Sequence, residues 1–360
     1  MIQSPILQTA QLGLPGYYYS DPKVFAHELK TIWRSTWQFV GREEDLPYPG
    51  DYLTYVIGEE PIFVIRTPDG QLKAMHNVCP HRGARLLNGQ GNCGLVRCPY
   101  HAWTFDLEGK LRGVSQPTLF PNLDKSAIHL LQARVDTWGG FIFVNPDPEG
   151  EPLMAYLAGF PDYLKQYKQP WEALRQVACW SYEEPINWKF VVENYVEDYH
   201  FATAHSQSLQ VFDYRGIRTT LTGRHCQVHV PYADNPPEGS RLFSWEPQGV
   251  SYQGYIFPNI MVNTAKDHVS VFRLVPLNPV RTSIEVLIYQ TPAQAEEFPR
   301  DQASFQANFD QVMEEDFAVC RLLQAGVNSR AYQVAQLADE HELGVAHFHE
   351  VLSNFYERGT

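Results

Sequence analysis

The chain has 360 residues, 44% of them hydrophobic, and its 28 Lys and Arg against 41 Asp and Glu leave a formal charge of −13. This excludes a disordered or fibrous protein and leaves room for about two domains on a prior of roughly 150 residues each. The acidic balance argues against nucleic acid and anionic membranes as partners, since both draw on clustered Lys and Arg. In chain order, Met1 to Leu14 lacks a basic stretch, and Gln3, Gln8 and Gln11 interrupt its apolar residues, which speaks against a secretory signal. Asp21 to Phe39 sets Val24, Phe25, Leu29, Ile32 and Trp33 at helical spacing behind an Asp21-Pro22 start and predicts an amphipathic helix. From Gly50 short β runs follow, Tyr52 to Ile57, Ile62 to Arg66 and Leu72 to Asn77, with a turn at Pro68-Asp69-Gly70. Turn residues crowd positions 147–152 and predict a domain boundary. Residues 180–205 read as a strand or loop and then a helix, and Leu221 to Val230, Tyr252 to Val262, Val269 to Leu277 and Thr282 to Gln290 as strands, before a helical tail from Ser304. No apolar run nears the roughly 18 residues that span a bilayer, and the six cysteines are too scattered for a disulfide scaffold. The expectation is a cytoplasmic protein with no membrane partner.

Thirteen His residues, nearly half the number of Lys and Arg, direct attention to metal. Cys79-Pro80-His81 and, sixteen residues on, Cys98-Pro99-Tyr100-His101 supply two thiolates and two imidazoles from two short loops. Such a set holds one tetrahedral zinc, or a 2Fe–2S cluster with both thiolates on one iron and both imidazoles on the other. A zinc finger would put its histidines on one helix, whereas here each loop pairs one Cys with one His.

At these residues, and at Arg82-Gly83-Ala84, Tyr100 and Trp103, the sequence resembles the oxygenase branch of the Rieske iron–sulfur domains. The resemblance implies that Cys79 and Cys98 ligate one iron and His81 and His101 the other. The respiratory branch needs a second cysteine in each loop for a disulfide; only Cys93 is nearby, so that bond cannot form. Ala102 stands where oxygenases usually carry Gly.

A second group runs from Asn187-Trp188-Lys189 through Glu193, Asn194, Glu197 and Asp198 to His200 and His205. On a helix Glu193, Glu197, His200 and Ala204 would share a side. His200 and His205, five apart, do not, so either a π-type bulge distorts the helix or His205 sits where it ends. Two imidazoles and a carboxylate leave open positions on a non-heme Fe(II). The stretch resembles the catalytic motif of Rieske oxygenase α subunits, in which the third ligand comes from a late helix. Glu314-Glu315-Asp316 through Gln324-Ala325-Gly326 matches that segment, which makes Asp316 the implied ligand and Glu315 the fallback. Glu197 takes the place of the Asp that links the Rieske His of one subunit to an iron ligand of the next, here His101 of a neighbour to His200. A Glu there is similar to the carnitine and glycine-betaine oxygenases, although that branch's usual Cys is replaced by Asp198.

The resemblance covers nearly the whole chain and implies an α+β protein. A helical segment, 1–40, would pack on the catalytic domain; 41–150 would be a β-rich Rieske domain, and 151–360 a mononuclear iron domain of antiparallel sheet and surrounding helices. It implies a terminal oxygenase that uses O2 to hydroxylate a small organic substrate, by ring hydroxylation or by N-demethylation of a quaternary ammonium compound. Electrons would come from a separate reductase or ferredoxin, because no nicotinamide or flavin fingerprint is present and NAD(P)H and flavin must act through that partner. It also implies a head-to-tail homotrimer and puts Asn194 beside the iron. Phe201, Tyr252, Tyr255, Phe257 and Tyr289 are candidates to line a pocket, although aromatic residues on β runs are more often core. His225 and His229 read as one face of a strand, and His341, His347 and His349 as packing or surface residues. Two other readings compete: a Rieske electron carrier, which leaves the second motif idle, and a zinc-stabilised binding protein.

Overall fold

Asp21 caps the first helix, α1 (Pro22–Glu28), by accepting the Lys23 N–H at 2.7 Å, and Pro22 opens it. A single π-type turn, Leu29–Trp33, follows, and the expected helix ends there. Phe39 belongs instead to a strand, because Gln38–Arg42 pairs with Phe141–Asn145. The computed structural model describes residues 12–165, 169–206, 208–237 and 249–357. Residues 32–156 form one compact unit, and the described residues up to 31 and from 157 form the other. The divisions fall at 31/32 and 156/157 rather than at the expected 40/41 and 150/151, because the first and last strands of the smaller unit pair with each other.

The smaller unit is all antiparallel. Its strands are β1 (Gln38–Arg42), β2 (Asp51–Ile57), β3 (Glu60–Arg66), β4 (Leu72–His76), β5 (Gln90–Asn92), β6 (Val96–Arg97), β7 (Thr104–Phe105), β8 (Leu111–Gly113), β9 (Gln132–Trp138) and β10 (Phe141–Asn145), with the short helix α2 (Leu153–Tyr156) at its end. Seven strands run in the order β1-β10-β9-β4-β3-β2-β5, and β6-β7-β8 form a small second sheet. Phe63, Ile65, Met75, Val96, Trp103 and Phe105 build the core beneath the loops that follow β4 and β6.

The larger unit is one antiparallel sheet with helices. After α3 (Phe160–Lys165) come β11 (Arg175–Glu184), α4 (Trp188–Tyr195), α5 (Phe201–Ala204), β12 (Arg218–Thr222), β13 (His225–Pro231), β14 (Val250–Ile256), β15 (Ile260–Thr264), β16 (Val269–Asn278), β17 (Arg281–Gln290), α6 (Pro292–Glu297), α7 (Gln302–Gly326) and α8 (Leu343–Tyr356). The strand order is β11-β17-β16-β15-β14-β13-β12. Two expected strands are hairpins: Leu221–Val230 is broken at Gly223, which takes φ +58°, and Tyr252–Val262 turns at Phe257-Pro258-Asn259. The expected tail is two helices, α7 and α8. Phe305, Phe309, Met313, Phe317 and Cys320 form the buried stripe of α7. It lies on β11, with Trp180 against Phe309 and Tyr182 against Phe317 at ring separations of 5.8 and 5.4 Å.

Helix α4 is anchored by a buried ion pair, Lys189 to Glu28 at 2.6 Å, both side chains inaccessible. Glu28 also accepts the Trp188 indole N–H and the Tyr356 hydroxyl at 2.9 and 2.6 Å, so α1, α4 and α8 share one polar node. Leaving either charge unpaired there would be costly.

Candidate metal centres

In the smaller unit the loops 79–84 and 98–103 repeat one another. Cys79 N–H donates to Ala84 O and Cys98 N–H to Trp103 O, both at 2.8 Å, while Gly83 and Ala102 donate back to the carbonyls of Cys79 and Cys98 at 2.9 and 3.0 Å. Each loop therefore closes on its Cys and holds its His two or three residues along. The matching geometry needs a left-handed residue at the fourth position after each Cys, and Gly83 and Ala102 supply it with φ +76° and +56°. Ala102 takes this conformation at the expense that a Cβ imposes. Asn77 pins the first loop, receiving Leu86 and Leu87 N–H and donating to Leu87 O. The imidazoles of His81 and His101 lie 4.8 Å apart, and Trp103 stacks on His81 at 4.7 Å. Burial raises the Cys79 thiol pKa and Cys98 beside it adds to the shift, while the N–H groups of His81 and Arg82 draw it down. Nδ1 of His101 is buried and has no hydrogen-bond partner among the described residues. A buried, unspent imidazole nitrogen beside two adjoining thiols fits a 2Fe–2S cluster held by Cys79, Cys98, His81 and His101.

In the larger unit α4 stops at Tyr195, a turn through Glu197 follows, and His200 caps the short α5 with His205 at its end. Of the two ways to reconcile the spacing, the helix ends rather than bulges. Glu193 consequently faces away from the His pair: it accepts from the Tyr19 hydroxyl at 2.7 Å and pairs with His349 at 2.9 Å. Asp316 comes from α7, one position off the buried stripe. Ligand atoms of His200, His205 and Asp316 all lie within 4.8 Å of one another. His205 Nε2 is 2.8 Å and His200 Nε2 3.4 Å from Asp316 Oδ1. The other ring nitrogens are engaged by carboxylates, His200 Nδ1 by Glu197 and His205 Nδ1 by Glu315 at 2.7 Å. That leaves both Nε2 atoms directed at one point with the aspartate, the donor set of a non-heme Fe(II). Asn194 Nδ2 stands 3.3 Å from His200 Nε2. Burial opposes charge on His200, but hydrogen bonds with Asp316 and Glu197 outweigh it and raise its pKa to about 9. His205 is raised against burial by Asp316 and Glu315, and Asp316 is lowered against burial by the two imidazoles.

A cavity of about 760 Å³, its open mouth included, ends on this triad. Phe201, Phe212, Tyr232, Phe272 and Phe309 give it aromatic walls, and Asn263, Gln253 and His268 add polar groups. Of the aromatic candidates only Phe201 lines it; Tyr255, Phe257 and Tyr289 are core, and Tyr252 faces His229 across the β13–β14 pair. His225 is buried and accepts the Phe257 N–H at 3.1 Å.

A family description for the Rieske 2Fe–2S domain matches residues 36–124, and one for the ring-hydroxylating alpha subunit catalytic domain matches residues 171–358. The chain belongs to the Rieske oxygenase α-subunit family. This oxygenase is 31% identical to the oxygenase subunit of a glycine betaine monooxygenase from Chromohalobacter salexigens, over 93% of this chain and 84% of that one. It is also 31% identical to the oxygenase subunit of a carnitine monooxygenase from Escherichia coli, over 96% and 94%. Its fold matches that of a solved quaternary ammonium Rieske monooxygenase, described for carnitine oxidation by gut microbiota, with a TM-score of 0.84, 28% identity and 96% of each chain covered. The enzyme is therefore a Rieske non-heme iron oxygenase of α+β fold that uses a 2Fe–2S cluster and a mononuclear iron, takes its electrons from a reductase and acts on a small molecule; the carrier and zinc readings fall away. Among the described residues no helix is long and apolar enough to cross a membrane.

Several parts of this oxygenase's site escape sequence reasoning. Glu315 is no substitute for Asp316 but the carboxylate behind His205, where it also accepts from Ser208. The helical offset of neighbours lets only one of the two face the metal, and the family resemblance names Asp316 as that one, but nothing in the sequence places Glu315 behind His205. Asp198 pairs with His341 at 2.7 Å, which ties the Glu197 turn to the segment before α8.

Proposed function

We propose that this oxygenase oxidises a quaternary ammonium compound in a reaction that releases formaldehyde by N-demethylation. The observation that carries the reading is the cavity: aromatic walls that attract an ammonium head by cation–π interaction, and no Lys or Arg among its described lining residues to repel one. The named substrates of the two relatives, glycine betaine and carnitine, support it. In balance, one atom of O2 enters a C–H bond of an N-methyl group and the other leaves as water, with two electrons from the reductase and two protons; the carbinolamine then loses formaldehyde.

Cys79, Cys98, His81 and His101 are assigned to the cluster and His200, His205 and Asp316 to the iron. The cluster, when bound, relays single electrons, and the iron supplies O2 activation. The chain's own residues do the rest. Glu197 and Glu315 fix which nitrogen each His presents. Asn194 flanks His200 and orders its edge of the cavity. The aromatic wall orients the substrate and keeps water out. Glu197 is assigned a second task, joining His200 to His101 of a neighbouring copy in a head-to-tail trimer; the related quaternary ammonium oxygenase is described with inter-subunit electron transfer, which supports this arrangement. The cytoplasm, where an NAD(P)H-dependent reductase is supplied with reductant, is the assigned location.

The test is turnover with a surrogate reductase over a panel of quaternary ammonium compounds and aromatic acids. Formaldehyde release with the ammonium compounds is expected. Ring hydroxylation of the acids with no formaldehyde would overturn the reading.

A further inference from the structure

Three strands of the larger sheet lay a row of polar side chains along the cavity. Gln253 of β14 stands opposite Asn263 of β15, and Asn263 opposite Ser270 of β16. Side chains alternate along a strand, so Ser251 shares the face of Gln253, while Tyr252 takes the other and meets His229. Ser251, Gln253, Asn263 and Ser270 all line the cavity. The protein engages most of this polarity itself. Asn263 accepts the Tyr195 hydroxyl at 2.8 Å and donates to Ser270 at 3.2 Å, which occupies both ends of its amide. Ser251 donates to Thr264 O at 3.2 Å, and His268, in the β15–β16 turn, meets Asp267 at 2.8 Å.

The Gln253 amide is different: half-buried at the cavity, it makes no hydrogen bond with any described residue. Its other cross-strand neighbour, Val228, has no polar side-chain atom, and Asn263 is held toward Tyr195 and Ser270. A carboxamide carries two N–H donors and a carbonyl acceptor without ionising, so its capacity to bind does not depend on pH. A substrate that fills the cavity takes the place of solvent around this amide and must replace its hydrogen bonds. One that cannot leaves the amide desolvated and unpaired, which is how a polar group in a pocket rejects analogues lacking its match.

We infer that Gln253 selects the substrate by hydrogen-bonding an oxygen function, a carboxylate or a hydroxyl, at the end away from the ammonium head. Either group suits the same amide: a carboxylate accepts from Nε2–H, and a hydroxyl accepts there or donates to Oε1. This deepens, and rests on, the quaternary ammonium reading, in which the aromatic wall holds the cationic end. Plain tetraalkylammonium ions of the same size are disfavoured, because they strand the amide.

The test is calorimetric titration of the metal-loaded enzyme with pairs that exchange the oxygen function for carbon: choline against propyltrimethylammonium, glycine betaine against isobutyltrimethylammonium, and benzyl alcohol against ethylbenzene. Gln253→Leu should weaken the oxygenated member of at least one ammonium pair about fivefold or more, and its carbon twin by less than about twofold, which shows that the cavity has survived. The pair that responds tells a hydroxyl from a carboxylate. The isosteric Gln253→Glu has no N–H to donate, so it should weaken glycine betaine likewise, while choline, whose hydroxyl can donate to the new carboxylate, should hold. Oxygenated members that bind Gln253→Leu as tightly as the wild type, or pairs in which both members weaken alike, overturn the inference even if the ammonium compounds are demethylated. A response confined to benzyl alcohol upholds the role of Gln253 while the quaternary ammonium reading fails.

Discussion

His205 is held from both sides, by Asp316 at Nε2 and Glu315 at Nδ1, and its ring is almost wholly buried. Glu315→Gln keeps the shape but removes the negative charge behind the ligand, so iron affinity should fall about 10- to 100-fold. Iron analysis after dialysis against a graded chelator reads this, and the cluster spectrum should not change. In the metal-free protein the same packing makes stability pH-dependent. The His200 pKa is raised from 6.5 to about 9, so its contribution is full below pH 6.5 and lost as the pH rises through 9. Thermal midpoints of metal-free protein at pH 6 and pH 10 should show that loss, and His200→Asn should flatten it. At the other centre, Ala102 with φ +56° takes the conformation that Gly83 takes in the sister loop. Relief of a left-handed Cβ, less the entropy that glycine loses on folding, should make Ala102→Gly more stable by about 0.5–1 kcal/mol. A lowered midpoint would refute the strain.

Elements carry the ligands into register. Helix α7 bears Asp316 beside a stripe that locks onto β11, and the turn with Glu197 is laced to the segment before α8 by Asp198 and His341. Gly344, near the start of α8, lies against this turn: a Cβ there would come within 2.1 Å of the Val196 carbonyl oxygen, one residue before Glu197. Gly344→Ala must push backbone from backbone, which should cost about 1–3 kcal/mol and loosen iron while leaving the cluster intact. Full iron occupancy at an unchanged midpoint would show that the close approach is not needed. Element boundaries also mark where sequence patterns are weakest. Both misread hairpins are apolar runs whose short turns, Gly223-Arg224 and Phe257-Pro258-Asn259, lie inside an otherwise strand-like composition. The first helix is read too long because Phe39 continues its apolar spacing while pairing in a sheet.

At the scale of the whole molecule, the two centres sit in separate units of the chain, and electron flow between them rests on the proposed trimer. Glu197→Gln should retain both metals and the trimeric mass, yet slow reoxidation of the reduced cluster in a single turnover with substrate at least about tenfold, as loss of a charge-assisted hydrogen bond predicts. An unchanged rate, with mass measured by light scattering on the same sample, would remove Glu197 from the electron path.

The four donors proposed for the cluster, Cys79, His81, Cys98 and His101, were legible as a metal-binding set from residue order, because they occupy two tight loops, while the choice of a cluster over zinc came from the family resemblance. His200 and His205, proposed for the iron, stood out by their carboxylate neighbours and the family motif, and one of the two alternatives offered for their spacing, that His205 sits at a helix end, matches its place at the end of α5. Asp316 needed a family resemblance, since it lies 111 residues from His205 and several acids could have met it. The carboxylate of Glu315 behind His205 and the placing of His268 at the cavity follow from how α7 and the β15–β16 turn pack on the sheet. Local spacing fixes which atoms one loop can bring together, whereas the meeting of distant segments depends on the register of buried faces, and that exists only in the folded chain.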